Sequence, residues 1–320
     1  MHKKRNTPPS GQHRIGRAGP AKRREGIERL LGSDRLRAER FMRFARETSM
    51  DLGNLWCAFD TEGAVRCSAL ASINPGRTAM LFVSPPRNPM EITLASEVLQ
   101  VASAALAQEG LCLVQALVTP DEHREIQAFE QSGLKQIAIL TYMQASLGRR
   151  HRKQATPPEG SSFRSYRSED RTMLEQLLAR TYIETLDCPG LVGLRRMNDI
   201  LDGHMNSGIF KPDWWTILSF EGSPAGACLI NRARDEKVAE LVYLGITPEM
   251  RGKGMGRALL AHALFKISET AQKTVVLAVD ESNTPAMTMY RSAGFTPTTR
   301  RCALVRKIDR DDHDDTIRRD

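Results

Sequence analysis

Hydrophobic and polar positions along the chain follow helix and strand periods, and they do so twice in the same order. Each block predicts a helix, a strand pair that turns at Glu-Gly, a third strand, a second helix and an apolar strand. In the first block these elements cover 38–47, 55–59, 64–72, a strand ending at 83–85, 94–108 and 111–118. In the second they cover 172–185, 215–220, 225–231, a strand ending at 246–248, 257–272 and 274–279.

Landmarks of the two blocks lie at a nearly constant distance. The Glu-Gly turns, the third strand ends and the Ser-Gly or Ala-Gly steps before the last strands are 159, 163 and 161 residues apart. An ordered series of this kind indicates a duplicated domain. We therefore predict an α/β fold (α+β layered) of two tandem domains with mixed central sheets, at 27–145 and 163–308.

Three segments lack any apolar period and are left out of the predicted domains. Residues 1–26 are predicted to form a disordered basic tail, 146–162 a linker rich in charge, proline and glycine, and 309–320 a charged tail.

The formal charge of +8, from 46 Lys plus Arg against 38 Asp plus Glu, is concentrated in the first of these segments. Residues 1–24 contain eight basic residues and no acid, so the remainder of the chain sums to zero. We therefore expect no nucleic-acid partner except through the tail. No apolar run reaches the length of a membrane span, and no secretory signal is apparent, so no membrane partner is expected. The six cysteines form no C-x-x-C motif, which argues against structural zinc and predicts a reduced, cytoplasmic protein.

A glycine-rich loop carries the candidate chemistry. The apolar strand 240–246 is followed by residues 247–250 and then by Arg-Gly-Lys-Gly-Met-Gly-Arg at 251–257, where a helix begins. Glycines let backbone amides converge on a ligand, and a helix N-terminus adds partial positive charge. With Arg251, Lys253 and Arg257, the loop predicts a site for an anion the size of a diphosphate.

A glycine-rich loop of this kind has three other interpretations. A Walker A loop needs Ser or Thr after Gly252-Lys253, but Gly254 stands there. A dinucleotide-binding loop needs G-x-G-x-x-G directly after its strand, and too few residues follow Asp280 for the rest of that fold. A solvated glycine-rich turn would be the simplest interpretation if the loop stood alone.

The loop has a specific context. The strand, Pro248, the loop, the helix, Asn283, Ala286, Tyr290 and Gly294-Phe295 together resemble the acetyl-CoA-binding core of the GNAT N-acetyltransferase superfamily. The resemblance implies an N-acetyltransferase that uses acetyl-CoA as cosubstrate and needs no metal. It also implies cofactor contacts through the backbone of Leu244, Gly245 and Ile246, through Arg251, Gly252, Lys253, Gly254, Met255, Gly256 and Arg257, and through Asn283.

By the same resemblance, acetyl passes directly from the thioester to an amine, with Glu240 as general base and Tyr290 as general acid. A salt-bridged or surface Glu240 and a core Tyr290 are the structural alternatives. Tyr182, Glu184, Asp187 and Trp215 are candidates for the substrate site, against capping, solvated or packing roles. Cys188 is expected to pack, because direct transfer needs no enzyme nucleophile.

The first block departs from the pattern. Its loop, Pro85-Pro86-Arg87-Asn88-Pro89, has no glycine, and Phe129 replaces the tyrosine. We expect a degenerate domain that acts as scaffold or lid. The acceptor is predicted to be a small-molecule or peptide amine (an aminoglycoside, polyamine, amino acid, cysteinyl-sugar amine or protein N-terminus), and the protein a monomer or homodimer. The alternative function is a non-catalytic acyl-CoA-binding regulatory module, docked to an anionic partner through the basic tail.

Overall fold

The computed structural model describes residues 13–48 and 50–308, with twelve strands and eight α-helices in that part of the chain. The strands are β1 (Arg14–Arg17), β2 (Leu55–Phe59), β3 (Val65–Asn74), β4 (Thr78–Val83), β5 (Leu113–Val118), β6 (Lys135–Ser146), β7 (Ser161–Ser165), β8 (Thr216–Phe220), β9 (Ser223–Arg232), β10 (Val238–Ile246), β11 (Thr274–Asp280) and β12 (Thr296–Lys307). The helices are α1 (Pro20–Leu30), α2 (Arg35–Glu47), α3 (Pro89–Gln108), α4 (His123–Gln131), α5 (Arg171–Thr181), α6 (Met197–Met205), α7 (Met255–Ser268) and α8 (Thr284–Ser292).

All twelve strands belong to one mixed sheet, in the order β1-β2-β3-β4-β5-β12-β6-β11-β10-β9-β8-β7. The predicted α/β class is confirmed, and the two blocks follow each other in the same order of elements. The prediction had one sheet in each domain, but the structure has a single sheet because the two halves exchange their last strands. Strand β12 pairs with β5 of the first half, and β6 pairs with β11 of the second. The predicted domain limits stay a prediction, but each half completes the sheet of the other.

Helices cover both faces of the sheet. In the first half α1 and α2 cover one core and α3 and α4 the other. In the second half α5 and α6 lie over a core that contains Trp215, and α7 and α8 lie over the opposite face. Helix α3 has the length and composition that a membrane crossing would need. Because Ala95, Val98, Leu99 and Ala102 are fully buried on it, we interpret it as a core helix.

Two neighbouring parallel strands, β10 and β11, diverge and leave a space between them, in which the candidate site described below lies. Strands β10 and β11 pair at only three positions, 238–240 with 274–276, and then separate. Beyond Glu240 one edge of β10 is therefore without a strand partner, while β9 pairs its other edge as far as Ile246. Strands β4 and β5 diverge in the same way after three pairs.

The prediction of disorder over residues 1–26 was wrong for the part of that segment that the structure describes. Residues 14–17 form β1 against β2, and α1 begins at Pro20. The Arg14 and Arg17 guanidinium groups lie 5.1 and 4.8 Å from the ring centroids of Phe59 and Trp56. Strand pairing and cation–π contacts thus give this basic segment a defined structure, although its sequence shows no periodic pattern of apolar residues. Residues 1–12 of this tail, and the predicted charged tail 309–320, lie outside the described residues.

The predicted linker also contains ordered structure. Residues 149–151 form a short 3₁₀ helix, and His151 is buried with its Nε2 3.2 Å from the carbonyl oxygen of Ala293. The predicted linker therefore packs against the turn that follows α8.

Candidate active site

The glycine-rich loop holds the N-terminus of α7 open. Gly252 and Gly254 have φ of 73° and 78°, a conformation that favours glycine, and Gly254 is the N-cap residue. A glycine cap has no side chain to accept from the first turn, and the amides of Gly256 and Arg257 find no acceptor within residues 13–48 and 50–308. Amides in a first turn point along the helix axis out of the helix, so the loop presents donors to an anion.

The guanidinium of Arg251, one of the three cations of the predicted anion site, is bound to carbonyl oxygens of the protein itself. It donates to the carbonyl oxygens of Thr181, Ile183, Glu184 and Ile246, at 2.7–3.1 Å. These bonds fasten the segment after α5 to the end of β10. Lys253 and Arg257, the other two basic residues of the loop, have exposed side chains.

A cleft of about 740 Å³ lies between the loop and the diverging strands. Most of the predicted cofactor residues line it together, as do three of the four candidate substrate residues. These are Leu244, Gly245, Ile246, Arg251, Gly252, Gly254, Met255, Gly256, Arg257 and Asn283, with Tyr182, Glu184 and Asp187. Asn283 caps α8 by accepting from the amide of Ala286 at 3.2 Å. Lys253 lies beside the cleft, with Nζ 3.9 Å from Sδ of Met250.

Tyr290 is buried beneath this cleft, with its ring 5.7 Å from that of Phe295 in an edge-on contact. Burial raises its pKa, and the nearby Cys228, Asp187 and Tyr243 raise it further. Tyr290 itself does not line the cleft, whereas Ala286 and Met289 of the same helix do. The hydroxyl is protonated at neutral pH and has a proton to donate.

Glu240 lines a second cavity, of about 320 Å³, at the point where β10 and β11 begin to diverge. Burial raises the pKa of its carboxyl, and the Ser207 hydroxyl donates to Oε2 at 3.4 Å. The cavity extends between the two halves of the chain. Its lining comprises Asn74, Pro75, Thr78 and Gln115 from the first half, and Arg195, Gly203, His204, Asn206, Ser207, Glu240, Leu241, Val242 and Ala278 from the second.

Three aromatic rings in tilted contact lie between the two cavities. The ring of Tyr243 lies 5.4 Å from that of Tyr182, in the cleft, and 5.4 Å from that of His204, which lines the cavity of Glu240. Burial lowers the pKa of His204 to about 4, so the imidazole is neutral at pH 7. Aromatic rings thus lie between the two cavities, next to the divergence of the strands.

Residues 188–295 match the model of the acetyltransferase (GNAT) family. This region of the chain, about a third of its length, is thus similar to the GNAT acetyltransferases. The matched region begins at Cys188 in the segment after α5 and ends at Phe295, so it contains the loop, α7, β11 and α8.

Mycothiol acetyltransferases are among the curated proteins to which this chain is similar. That of Streptomyces bingchenggensis is 29% identical over 140 residues, covering 43% of this chain and 44% of the relative. That of Thermomonospora curvata is 25% identical over 165 residues, covering 51% and 54%. The chain thus spans about half the length of these relatives.

A solved structure shares the fold along nearly the whole chain. The GCN5-related N-acetyltransferase of Sphaerobacter thermophilus superposes with a TM-score of 0.61 and 19% identity, covering 93% of this chain and 96% of the other. Because the superposition includes both halves, the shared fold extends beyond the region that the family model matches.

Trp215 does not line the cleft, which corrects its prediction as a substrate residue. It is fully buried beneath α5 and α6, and its indole N–H donates to Oδ1 of Asn231 at 2.9 Å. Cys188 is buried as expected, and burial raises the pKa of its thiol to about 12. At that pKa the thiol is protonated and has little nucleophilic character at pH 7.

The segment after α5 is held rigidly over the cleft. Glu184 and Cys188 are non-glycine residues with φ of 52° and 47°. Asp187 Oδ1 accepts from the amide of Asp280 at 2.9 Å, and the Asp280 carboxylate accepts from the amide of Cys188 at 3.2 Å. Desolvation, with Asp280 nearby, raises the pKa of Asp187. Together with the Arg251 bonds, this exchange fixes the rim of the site.

The residues that the sequence did not identify are those that tertiary contacts bring to the site. Thr181 Oγ1 lies 2.6 Å from the Tyr243 hydroxyl, and a Cβ added at Gly245 would collide with both residues. The motif around Gly245 signalled this contact, since glycine inside a strand marks a close approach. For the cavity of Glu240 there was no signal, because its walls come from five separate parts of the chain, at 74–78, 115, 195–207, 240–242 and 278. Among residues 13–48 and 50–308, no group of three potential metal ligands is present.

Proposed function

We propose that the protein is an acyl-CoA-dependent N-acyltransferase that moves an acetyl group from acetyl-CoA to a primary amine. The observation that carries this proposal is that two cavities lie along successive parts of the same strand, β10, where it separates from β11. One has the open helix N-terminus that suits a diphosphate, and the other contains a half-buried carboxylate. A non-catalytic acyl-CoA-binding module would not account for the second cavity.

The proposed roles follow from charge and position. The amides of Gly256 and Arg257 and the positive end of α7 would hold the diphosphate, and the free edge of β10 would pair with the pantetheine arm. An amine bound beside Glu240 would lose its proton to that carboxylate, directly or through a water molecule. The departing CoA thiolate would gain its proton from Tyr290. In total, acetyl replaces one proton on the amine, and the thiolate leaves as CoA–SH.

The first half would line the acceptor site without supplying a catalytic residue. Asn74, Thr78 and Gln115 line the cavity of Glu240, which makes the acceptor site a product of both halves. The names of the curated relatives make a cysteinyl-aminosugar amine one reasonable acceptor class. Amino acids, polyamines, aminoglycosides and protein N-termini belong in the same screen.

The test is CoA release from acetyl-CoA by the purified full chain across a panel of these amines. We expect release with at least one class and none without an amine.

Glu240→Gln should lower kcat/KM about 100-fold for that amine and leave acetyl-CoA affinity unchanged within about twofold. Because the pKa of Glu240 is raised, wild-type kcat/KM should fall as the pH drops through that raised pKa. The variant should lack this acid limb. No release with any amine, or an unchanged pH profile in the variant, would refute the proposal.

A further inference from the structure

Arg195 faces the cavity of Glu240, although neither the motif nor the family match draws attention to it. It precedes α6 and is half-buried. Within the residues that the structure describes, it makes no hydrogen bond or ion pair, and its Nη1 lies close to Gly203. A guanidinium that is partly withdrawn from water without a counter-charge is unfavourable, and a bound anion would relieve that cost.

The charge of Arg195 acts on the rings that lie between the two cavities. It contributes to the lowered pKa of His204, after burial, and it opposes the rise that burial causes in the pKa of Tyr182. Arg195 lines the cavity of Glu240 together with His204, and that cavity lies where β10 and β11 diverge. Glu240 lines the same cavity, yet it forms no ion pair with Arg195 among the residues described. The cavity thus has a carboxylate and a guanidinium that do not neutralise each other.

The positive character continues into the adjoining cavity. This space, of about 610 Å³, lies between the two halves and shares Arg195 with the cavity of Glu240. Its two acids already face arginines: Asp199 lies 3.8 Å from Arg77, and Glu109 pairs with Arg17. Arg196, which is exposed, also lines it. The potential on this side of Arg195 therefore favours negative charge.

We propose that the acceptor is a zwitterionic amine whose ammonium group binds beside Glu240 and whose carboxylate or phosphate binds Arg195. This rests on the proposed transferase function and adds the chemical class of the substrate. A guanidinium binds either anion through paired N–H donors, whereas a neutral amine would leave Arg195 uncompensated. The anionic group would orient the amine, and Arg195 would be a specificity-determining residue.

The test compares amines of matched length that differ only in the anionic group. β-Alanine is set against β-alaninamide, and phosphoethanolamine against ethanolamine, with CoA release measured for the full chain. We expect kcat/KM to be at least about tenfold higher for one anionic member than for its neutral match. Arg195→Met should raise KM for that member about 30-fold and leave the neutral amine within about twofold, while Arg195→Lys restores part of the loss. The exposed Arg124→Gln is the control.

Calorimetric titration with the same two pairs, without acetyl-CoA, separates this inference from the transferase function. Binding of an anionic member that weakens about 30-fold in Arg195→Met supports the site even if no CoA is released; in that case the transferase proposal fails. Equal kcat/KM for charged and neutral amines, or equal losses for both in Arg195→Met, overturns the zwitterion proposal and leaves the transferase intact. Neither binding nor turnover overturns both.

Discussion

The loops after β4 and β10 occupy the same place in the two halves, but they differ in whether the helix that follows has its N-terminus free for a negatively charged ligand. After β10, Gly254 caps α7 without a side chain, and Arg257 is the third residue of the helix. After β4, Asn88 caps α3 and accepts from the amide of Glu91, which is the third residue of that helix. One helix N-terminus is open to a ligand, and the other is closed by the protein itself.

The carboxylate of Glu91 occupies the role of an anion in the first half. It accepts from the amide of Arg87 at 3.0 Å and from the guanidinium groups of Arg87 and Arg29. The hydrogen bonds and charge of these arginines lower its pKa to about 2. A diphosphate would therefore meet a fixed negative charge there, as well as three prolines in place of amide donors. Duplication preserved the strand divergence, while the choice of residues at the helix start decides whether it can hold a nucleotide.

Replacing the tyrosine of the second half by the phenylalanine found in the first half is expected to have the largest effect on turnover. Tyr290→Phe places in the second half the residue that stands at 129 in the first. Loss of the proton donor should lower kcat about 100-fold, because the thiolate would leave unprotonated. Acetyl-CoA affinity, measured by calorimetry, should stay within about twofold. An unchanged kcat would show that Tyr290 is only a core residue.

Charge reversal at the helix start should have the next largest effect. Arg257→Glu reproduces at α7 the acid found at the same position of α3. A like charge a few ångströms from a diphosphate should weaken acetyl-CoA binding about 30-fold, or about 2 kcal/mol. Arg257→Gln should lose less, and Arg124→Glu, which changes net charge at a distance, should bind as the wild type does. Equal affinity in Arg257→Glu and Arg124→Glu would contradict an anion site at α7.

A smaller effect is expected at the contact between the halves. Gly76 has φ of 81°, and a Cβ there would collide with the carbonyl oxygen of Asp199 in α6. Gly76→Ala should shift the turn that carries Pro75 and so raise KM for the acceptor about fivefold, with acetyl-CoA affinity unchanged. Gly63→Ala, at φ 79° with no atom within 4 Å, has the same backbone strain without the collision. If both variants raise KM equally, the first half does not shape the acceptor site.

The smallest effect is one on stability alone. Glu91→Gln should reduce the free energy of unfolding at pH 7 by about 1–2 kcal/mol, since Arg29 and Arg87 lose their half-buried carboxylate partner. The folded-state pKa of Glu91 is depressed, so this contribution is present above about pH 4.5 and is lost as the pH falls toward 2. Denaturant unfolding of both proteins across that range measures it. A difference that persists at pH 2 would contradict the proposed origin.

The elements and the loop were predictable from local pattern, because period and glycine content act over a few residues. The structure has β2 at the predicted residues 55–59. Helix α5 ends at Thr181 and not at 185, since Glu184 adopts a left-handed conformation that propensity does not reveal. Helix α3 begins five residues before the predicted start, where Asn88 caps it and Pro89 takes the first position.

What the sequence did not reveal depends on contacts between distant residues. The apolar period of β6 and β12 is satisfied by either half, so it does not tell which neighbour each strand pairs with. Arg251 matches a motif position, but its bonds go to carbonyl oxygens that only the folded segment after α5 brings within reach. The walls around Glu240 similarly require the two halves to be packed together before they exist.

Calorimetric titration of the full chain with acetyl-CoA tests the difference between the two loops most directly. We predict one binding site per chain, weakened about 30-fold by Arg257→Glu and unchanged within about twofold by Glu91→Gln. Two sites per chain, or a single site that Arg257→Glu leaves intact, would show that the closed helix start of the first half still binds the nucleotide.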